Sequence, residues 1–475
     1  MQAEEFRRHG HDLIDWVADY LQGVEAYPVL PDLQPGDVRR RLPAEPPREP
    51  EAMETILKDF RTLILPAVTH WNHPRFFAYF PANQSGPSIL GELLSAALGV
   101  NAMVWQSCPA ATELEEVVMD WLRRMIGLPE SFRGVIQDTA STATIVALLC
   151  ARERATDFAT NEHGFYARTA AALRVYCSRE AHSSVEKGLK AAGFGREHLV
   201  PIAVDNELAL DPTDLAQKIA ADREQGLTPC AVVATVGTTS STALDPLVPI
   251  ADLADRHRLW LHVDAALAGS AAILPEKRAM FDGLERADSF VFNPHKWLFT
   301  NFDCSAFFCR DPQTLVRTFA IDPEYLRTAF DSGATNLRDW GLALGRRFRA
   351  LKLWFVLRSY GVEGLQARLR EHLGLAQEFM QWVVADPQFE LLAPVPLQTI
   401  CFRHCPPEVA AAGAEALDRH NAALLQRVNA TGQLFMTHTR LRERYCLRLS
   451  IGQTETRREH VVAAWRLIRD CAQAR

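Results

Sequence analysis

Through the middle of the chain, short β-branched and apolar runs alternate with stretches of helical periodicity, and no other feature restricts the fold so tightly. The runs fall at 173–178, 199–204, 231–236, 259–263 and 289–292. Strands separated by helix-length segments pair in parallel, because each crossover returns the chain to the same end of the sheet. The pattern predicts an α/β fold: a mostly parallel central sheet with helices on both faces. Ligands of such sheets bind beyond the carboxyl ends of the strands, so chemistry is sought there.

The flanks read differently. Phe6, Leu13, Ile14, Val17, Leu21 and Val24 lie near helical spacing with charges between them, an amphipathic helix that needs a partner surface. Seven prolines from Pro28 to Pro50 predict an extended arm. Helix and arm together suggest docking on a second subunit, with packing on the chain's own body as the competing arrangement. Thr112, Glu113, Leu114 and Glu115 spell a capping box ahead of a helix that Gly127 and Pro129 stop. After a helical run at 344–360, strands at 398–403 and 446–451 and a final helix past Thr456 predict a small α+β unit. The expected division is 1–85 as an N-terminal docking segment, 86–370 as the large domain and 371–475 as the small C-terminal domain.

Composition narrows the class. With 475 residues, 51 Lys+Arg against 58 Asp+Glu and 48% apolar content, the chain is neither disordered nor a basic nucleic-acid binder. The apolar stretch at 142–151 ends at three charged residues, short of the ~20 a membrane span needs. Acidic residues through the first 25 positions break any signal-peptide centre, so a cytoplasmic location is expected. Ten cysteines are scattered without CxxC and read as free thiols. Neither HExxH nor GxxxxGK[ST] occurs, Gly193-Phe194-Gly195 lacks the third glycine of a dinucleotide loop, and no metal is expected.

Two strand ends carry the chemistry. Leu261-His262-Val263-Asp264-Ala265-Ala266 finishes one buried run with a carboxylate, and Asn293-Pro294-His295-Lys296-Trp297 follows another with a lysine. An ion pair is one account, since a buried charge needs a partner. The other is a pyridoxal phosphate site, with Lys296 forming the imine and Asp264 keeping the pyridine nitrogen protonated. A phosphate also needs backbone donors at a helix start, and the small and hydroxyl residues from Gly134 to Ser141 lead into such a helix, although a hydroxyl N-cap would look the same. His182, just past the run at 173–178, is placed to cover a flat ring or to be a structural histidine, and Thr238-Thr239 follows another strand end.

These motifs, Ala181-His182-Ser183-Ser184-Val185 included, closely resemble the group II pyridoxal-phosphate decarboxylases, specifically the aromatic L-amino-acid branch. Thr69-His70-Trp71, Phe76-Phe77-Ala78-Tyr79-Phe80-Pro81 and Gly345-Arg346-Arg347-Phe348-Arg349 match in the same order, and the resemblance runs from Glu5 to the final helix. It implies a fold type I enzyme, a homodimer with its active site at the subunit interface, and an aromatic amino acid as substrate. It further implies Lys296 as Schiff-base lysine, Asp264 as pyridinium partner and His182 stacked on the ring. Ala140, Ser141, Asn293 and His295 would surround the phosphate, with Thr239 and Ala266 flanking the cofactor. The side-chain pocket would comprise Trp71, Tyr79, Phe80, Pro81, Ala82 and Gly345, with Met103 from the partner subunit. The implied reaction is decarboxylation to the arylalkylamine and CO₂ through a quinonoid intermediate.

Two departures stand out. Where animal and plant members carry a loop tyrosine as proton donor, this chain has Leu337, which has no proton to give, leaving His182 or Tyr325 as candidates. Plant aldehyde synthases carry phenylalanine there, so aldehyde synthesis is the alternative activity. Catechol-directed members carry a hydroxyl after Phe-Pro, whereas Ala82 stands here, and an unpaired hydroxyl in an apolar pocket costs about 1–3 kcal/mol. Gly345 leaves room for an indole. Arg346, Arg347 and Arg349 are expected to be solvated or structurally paired. A non-enzymatic scaffold would predict a lost Lys296 or Asp264.

Overall fold

Six strands run in one direction through a seven-stranded sheet and a single strand opposes them. In chain order they are β1 (Arg133–Gln137), β2 (Leu173–Ser178), β3 (Leu199–Ile202), β4 (Thr228–Thr235), β5 (Trp260–Asp264), β6 (Ser289–Phe292) and β7 (Ser305–Cys309). The spatial order is β1-β7-β6-β5-β4-β2-β3, with only β7 antiparallel to its neighbours. The structure, a computed structural model, describes residues 1–165, 172–321, 323–330 and 333–473. They form two compact units, one of 82–377 with 393–400 and the other of 1–81 with 378–392 and 401–475.

The large sheet is apolar on both faces, which is why its strands read as continuous hydrophobic runs. Val175, Val233, Val291 and Phe307 pack in one cluster with Val146, Leu148 and Leu189 of the helices Ala140–Ala155 and Ser184–Ala191. Strand β7 was not anticipated. It follows β6 after a connection that contains only the one-turn helix Pro294–Trp297, with no crossover helix across a face of the sheet, and it pairs antiparallel. The parallel strands place Gln137, Ser178, Thr235, Asp264 and Phe292 along one edge.

The capping-box expectation is corrected. The helix is Pro109–Ile126, beginning three residues before Thr112 with a proline in its first turn, where the missing N–H costs nothing. Thr112 is buried inside it. Its end is as expected: Gly127 adopts φ 78 and closes the helix.

The second unit carries a four-stranded sheet, β10-β11-β9-β8, from β8 (Phe389–Leu391), β9 (Thr399–His404), β10 (Thr437–Leu441) and β11 (Arg444–Ser450). The N-terminal helix Ala3–Gly23 belongs to this unit and packs on its own chain. Trp16 meets Phe60 edge-on at 5.2 Å, and the Tyr20 hydroxyl lies 2.6 Å from His70 Nδ1 and donates to Asn72 at 3.0 Å. Phe6 and Ile14 on the same helix stay exposed. The proline-rich arm holds one short helix, Asp37–Arg41, that composition did not signal.

Candidate active site

Strands β5 and β6 pair in parallel, with His262 opposite Ser289 and Asp264 opposite Val291. Asp264 therefore ends its strand beside the turn that follows β6. The Asn293 N–H donates to Ala266 O at 2.8 Å and the Lys296 N–H to Asn293 O at 2.9 Å, tying Lys296 to the segment after Asp264. Asp264 is buried, and its Oδ1 accepts the Ala266 N–H at 3.0 Å. Among the described residues no cationic side chain pairs with it. Lys296 is half-buried.

The anion-binding side is assembled from three elements. Ser305, which begins β7, is the register partner of Gln137 at the end of β1, and its hydroxyl donates to Asn293 Oδ1 at 2.7 Å. Asn293 and the start of the helix Ala140–Ala155 are thus drawn together. The first backbone bond of that helix is Ala143 N–H to Thr139 O, so the N–H groups of Ala140 and Ser141 have no acceptor within it. His295 is buried, and its Nδ1 accepts the Cys304 N–H at 2.9 Å, which leaves Nε2–H as the ring's donor. Burial pushes its pKa down to about 3, with Lys296 adding to the effect, so it is a neutral donor.

Gly237 shapes the next strand end. It follows β4 with φ +85, and a Cβ there would lie 2.7 Å from Ala268, so only glycine fits this close turn. The turn presents Thr239 at the surface, while the Thr238 hydroxyl accepts the Ala243 N–H at 3.0 Å. His182 lies beyond the end of β2. Burial lowers its pKa, the Asp264 carboxylate raises it and the Lys296 and Lys187 ammonium groups lower it, so these charges lie near enough to act on the ring.

Pyridoxal phosphate brings an anionic phosphate, an aldehyde and a pyridine nitrogen. The residues fit all three: helix N–H groups without an acceptor in their own helix and a neutral His295, an amine at Lys296, and a buried carboxylate with which no cationic side chain among the described residues pairs.

The other anticipated residues are distributed as follows. Met103 is half-buried, and its carbonyl accepts the Arg338 N–H at 3.0 Å. Gly345 is exposed, with room for a Cβ 3.8 Å from Asn101 Nδ2. Ala82 is half-buried, and the next residue, Asn83, donates its amide to Lys296 O, so that amide is committed to the lysine turn. In the second unit Trp71 stacks on Tyr79 at 5.6 Å, Tyr79 adopts φ 52, and Arg448 lies 4.6 Å over Phe80 and donates to Tyr79 O, with Pro81 buried beside them. Tyr325 is 76% exposed and is not gathered with the cleft residues. Leu337 is buried in the core of the large unit.

The arginines are structurally paired, as expected. Arg346 binds Glu115 and Ile136 O, Arg349 binds Asp303 through two bonds of 3.0 and 3.1 Å, and Arg347 binds Glu92. Ser184, Cys304 and Ser305 were not foreseen as partners of the site. Their contacts join segments by tertiary folding or through backbone atoms, which leave no motif.

The fold and this edge of the sheet define a fold type I pyridoxal-phosphate enzyme. A family model described as the pyridoxal-dependent decarboxylase conserved domain matches residues 35–405. The chain belongs to that family, which makes it a carboxy-lyase. It is 44% identical to aromatic-L-amino-acid decarboxylase of Bos taurus, over 99% of this chain and 97% of the relative. It is 42% identical to phenylacetaldehyde synthase of Arabidopsis thaliana, over 99% and 96%. Among solved structures, Oryza sativa TDC with PLP and tryptamine matches with a TM-score of 0.96 at 39% identity, over 99% of this chain and 98% of that one.

Proposed function

We propose that the protein decarboxylates an aromatic L-amino acid, releasing the arylalkylamine and CO₂. One observation carries this: Asp264, a buried carboxylate with which no cationic side chain among the described residues pairs, stands at a strand end beside the turn that bears Lys296. When bound, pyridoxal phosphate supplies an electron sink for the bond between Cα and the carboxylate. Lys296 would supply the amine that holds the cofactor's aldehyde carbon. Asp264 would keep a proton at the ring nitrogen, an electrostatic role that strengthens where water is excluded. Ala140, Ser141, Asn293 and His295 would hold the phosphate, Thr239 and Ala266 would flank the ring, and His182 would cover it. By the family resemblance, Trp71, Tyr79, Phe80, Pro81, Ala82, Met103 and Gly345 are the residues assigned to the aromatic side chain. Without a hydroxyl at Ala82, tryptophan and phenylalanine are favoured over DOPA unless Asn83 pairs the ring hydroxyl.

A homodimer with a shared active site is part of the proposal. Leu90, Leu93, Leu94 and Leu98 form an exposed apolar stripe, 47 to 59% open, along the helix Gly86–Leu98, and such a stripe calls for a covering surface. The notion that the segment 1–85 docks on a partner rests on Phe6 and Ile14 remaining exposed. The cytoplasm is proposed as the location because the ten free cysteines fit a reducing compartment. Among the described residues no helix is long and apolar enough to cross a membrane.

Aldehyde synthesis is kept as a second reading because Leu337, which has no proton to donate, is buried at the loop position. Tyr325 is a proton source only if a partner surface covers it. Purified holoprotein given tryptophan, phenylalanine, tyrosine and DOPA separately, with amine, aldehyde and peroxide quantified, tests both readings. Amine in excess is expected; aldehyde with stoichiometric peroxide would reverse the order.

A further inference from the structure

His182 stands one residue ahead of Ser183, the N-cap of the helix Ser184–Ala191, whose first residue is Ser184. Its Nδ1 accepts the Ser184 backbone N–H at 3.1 Å and lies 2.8 Å from the Ser184 hydroxyl. A first-turn N–H has no acceptor within its own helix, and Ser184 is only 2% exposed, so water does not compete for it. A backbone N–H can only donate. With its hydrogen aimed at Nδ1, that nitrogen must present its lone pair, and a proton placed there would meet the amide hydrogen head-on.

We propose that Ser184 is a positioning residue that holds His182 as a neutral imidazole protonated at Nε2 alone, so that this ring donates a hydrogen bond in the cleft and is not the acid that protonates Cα. The tautomer of a histidine follows from the bond made by its other nitrogen, and here that bond comes from a rigid amide. An imidazolium could deliver a proton and return to the neutral ring. A neutral ring that gave up its Nε2 proton would become an imidazolate, a far worse leaving state. The charged groups facing the ring are the Asp264 carboxylate, which favours a second proton, and Lys296 and Lys187, which oppose it together with burial. The Cα proton therefore comes from a group other than His182. The consequence for turnover rests on the decarboxylase reading, whereas the tautomer does not.

Neutron diffraction from crystals of the holoenzyme in D₂O reads the proton directly. Deuterium on Nε2 with a bare Nδ1 is expected; deuterium on Nδ1, or on both nitrogens, would overturn the proposal. Kinetics give an independent readout. His182→Gln removes the covering ring as well as the titratable nitrogen, so kcat should fall while the shape of the kcat–pH profile stays that of wild type. Disappearance of an ionisation from that profile would mark His182 as the titrating acid and sink the proposal. Ser184→Ala keeps the backbone N–H and removes only the hydroxyl 2.8 Å from the same nitrogen, so Nε2 should still carry the proton while the His182 titration, followed by NMR, moves to higher pH, and Ser184→Thr should restore it. A Ser184→Ala protein that is less stable but keeps the wild-type titration would show a merely structural role and also count against it. If wild-type holoprotein releases no CO₂ while Nε2 alone carries deuterium, the decarboxylase reading fails and the tautomer stands.

Discussion

Two buried charges on the large unit behave in opposite ways. Glu115 lies inside the helix Pro109–Ile126, accepts the Ile136 N–H at 2.8 Å and pairs with Arg346, so its charge is cancelled within the chain. Asp264, equally buried, receives one backbone N–H and no cation among the described residues. A charge matched internally supports the fold. A carboxylate that no cation among the described residues pairs with, at a strand end beside a lysine-bearing turn, marks where a cationic group can bind, because a buried charge needs a partner.

The comparison can be broken by substitution on each side. Lys296→Ala should abolish turnover and remove the borohydride-sensitive visible absorbance of the holoprotein, checked by CO₂ release and spectroscopy. Persistence of either would detach the lysine from the cofactor. Asp264→Asn should lower kcat by about 10²–10³-fold with little change in unfolding midpoint, since the lost interaction is electrostatic support of the reaction. Glu115→Ala should do the reverse, costing about 3–5 kcal/mol in denaturant unfolding by leaving Arg346 buried without its carboxylate, while KM stays near wild type. If Glu115→Ala harmed only catalysis, the distinction between the two carboxylates would be lost.

Smaller effects sharpen the picture. Ala82→Thr should raise kcat/KM for DOPA relative to phenylalanine by about tenfold, by giving a ring hydroxyl a partner. An unchanged ratio would place the specificity elsewhere. The smallest effect concerns pH. His262, buried in β5, has its pKa pushed down to about 4 by burial, with Asp264 partly opposing. The unfolded chain takes up a proton near pH 6.5 that the folded chain refuses until about 4, so stability is lost as pH falls through that window. His262→Gln should flatten the slope of unfolding free energy between pH 7 and 4.

The sequence went far on this protein because its chemistry is carried by short contiguous motifs at strand ends. Parallel strands must end at one edge, so hydrophobic runs closed by Asp264 and followed by Lys296 were enough to place a carboxylate and an amine together. The same local signals also erred: Thr112 looked like a cap, yet Pro109 opens the helix. Strand β7 escaped notice because nothing in Ser305–Cys309 distinguishes an antiparallel return from a loop segment.

What the chain determined by itself were the periodicities, the turn residues and the order of reactive side chains, all properties of neighbours along the backbone. Tertiary structure decided which charges are cancelled, as Arg346 is by Glu115, and which buried ring nitrogens are occupied from outside their own turn, as His295 is by Cys304. Those outcomes depend on burial and on backbone N–H groups, which are identical in every residue but proline and so leave no mark in the order of side chains.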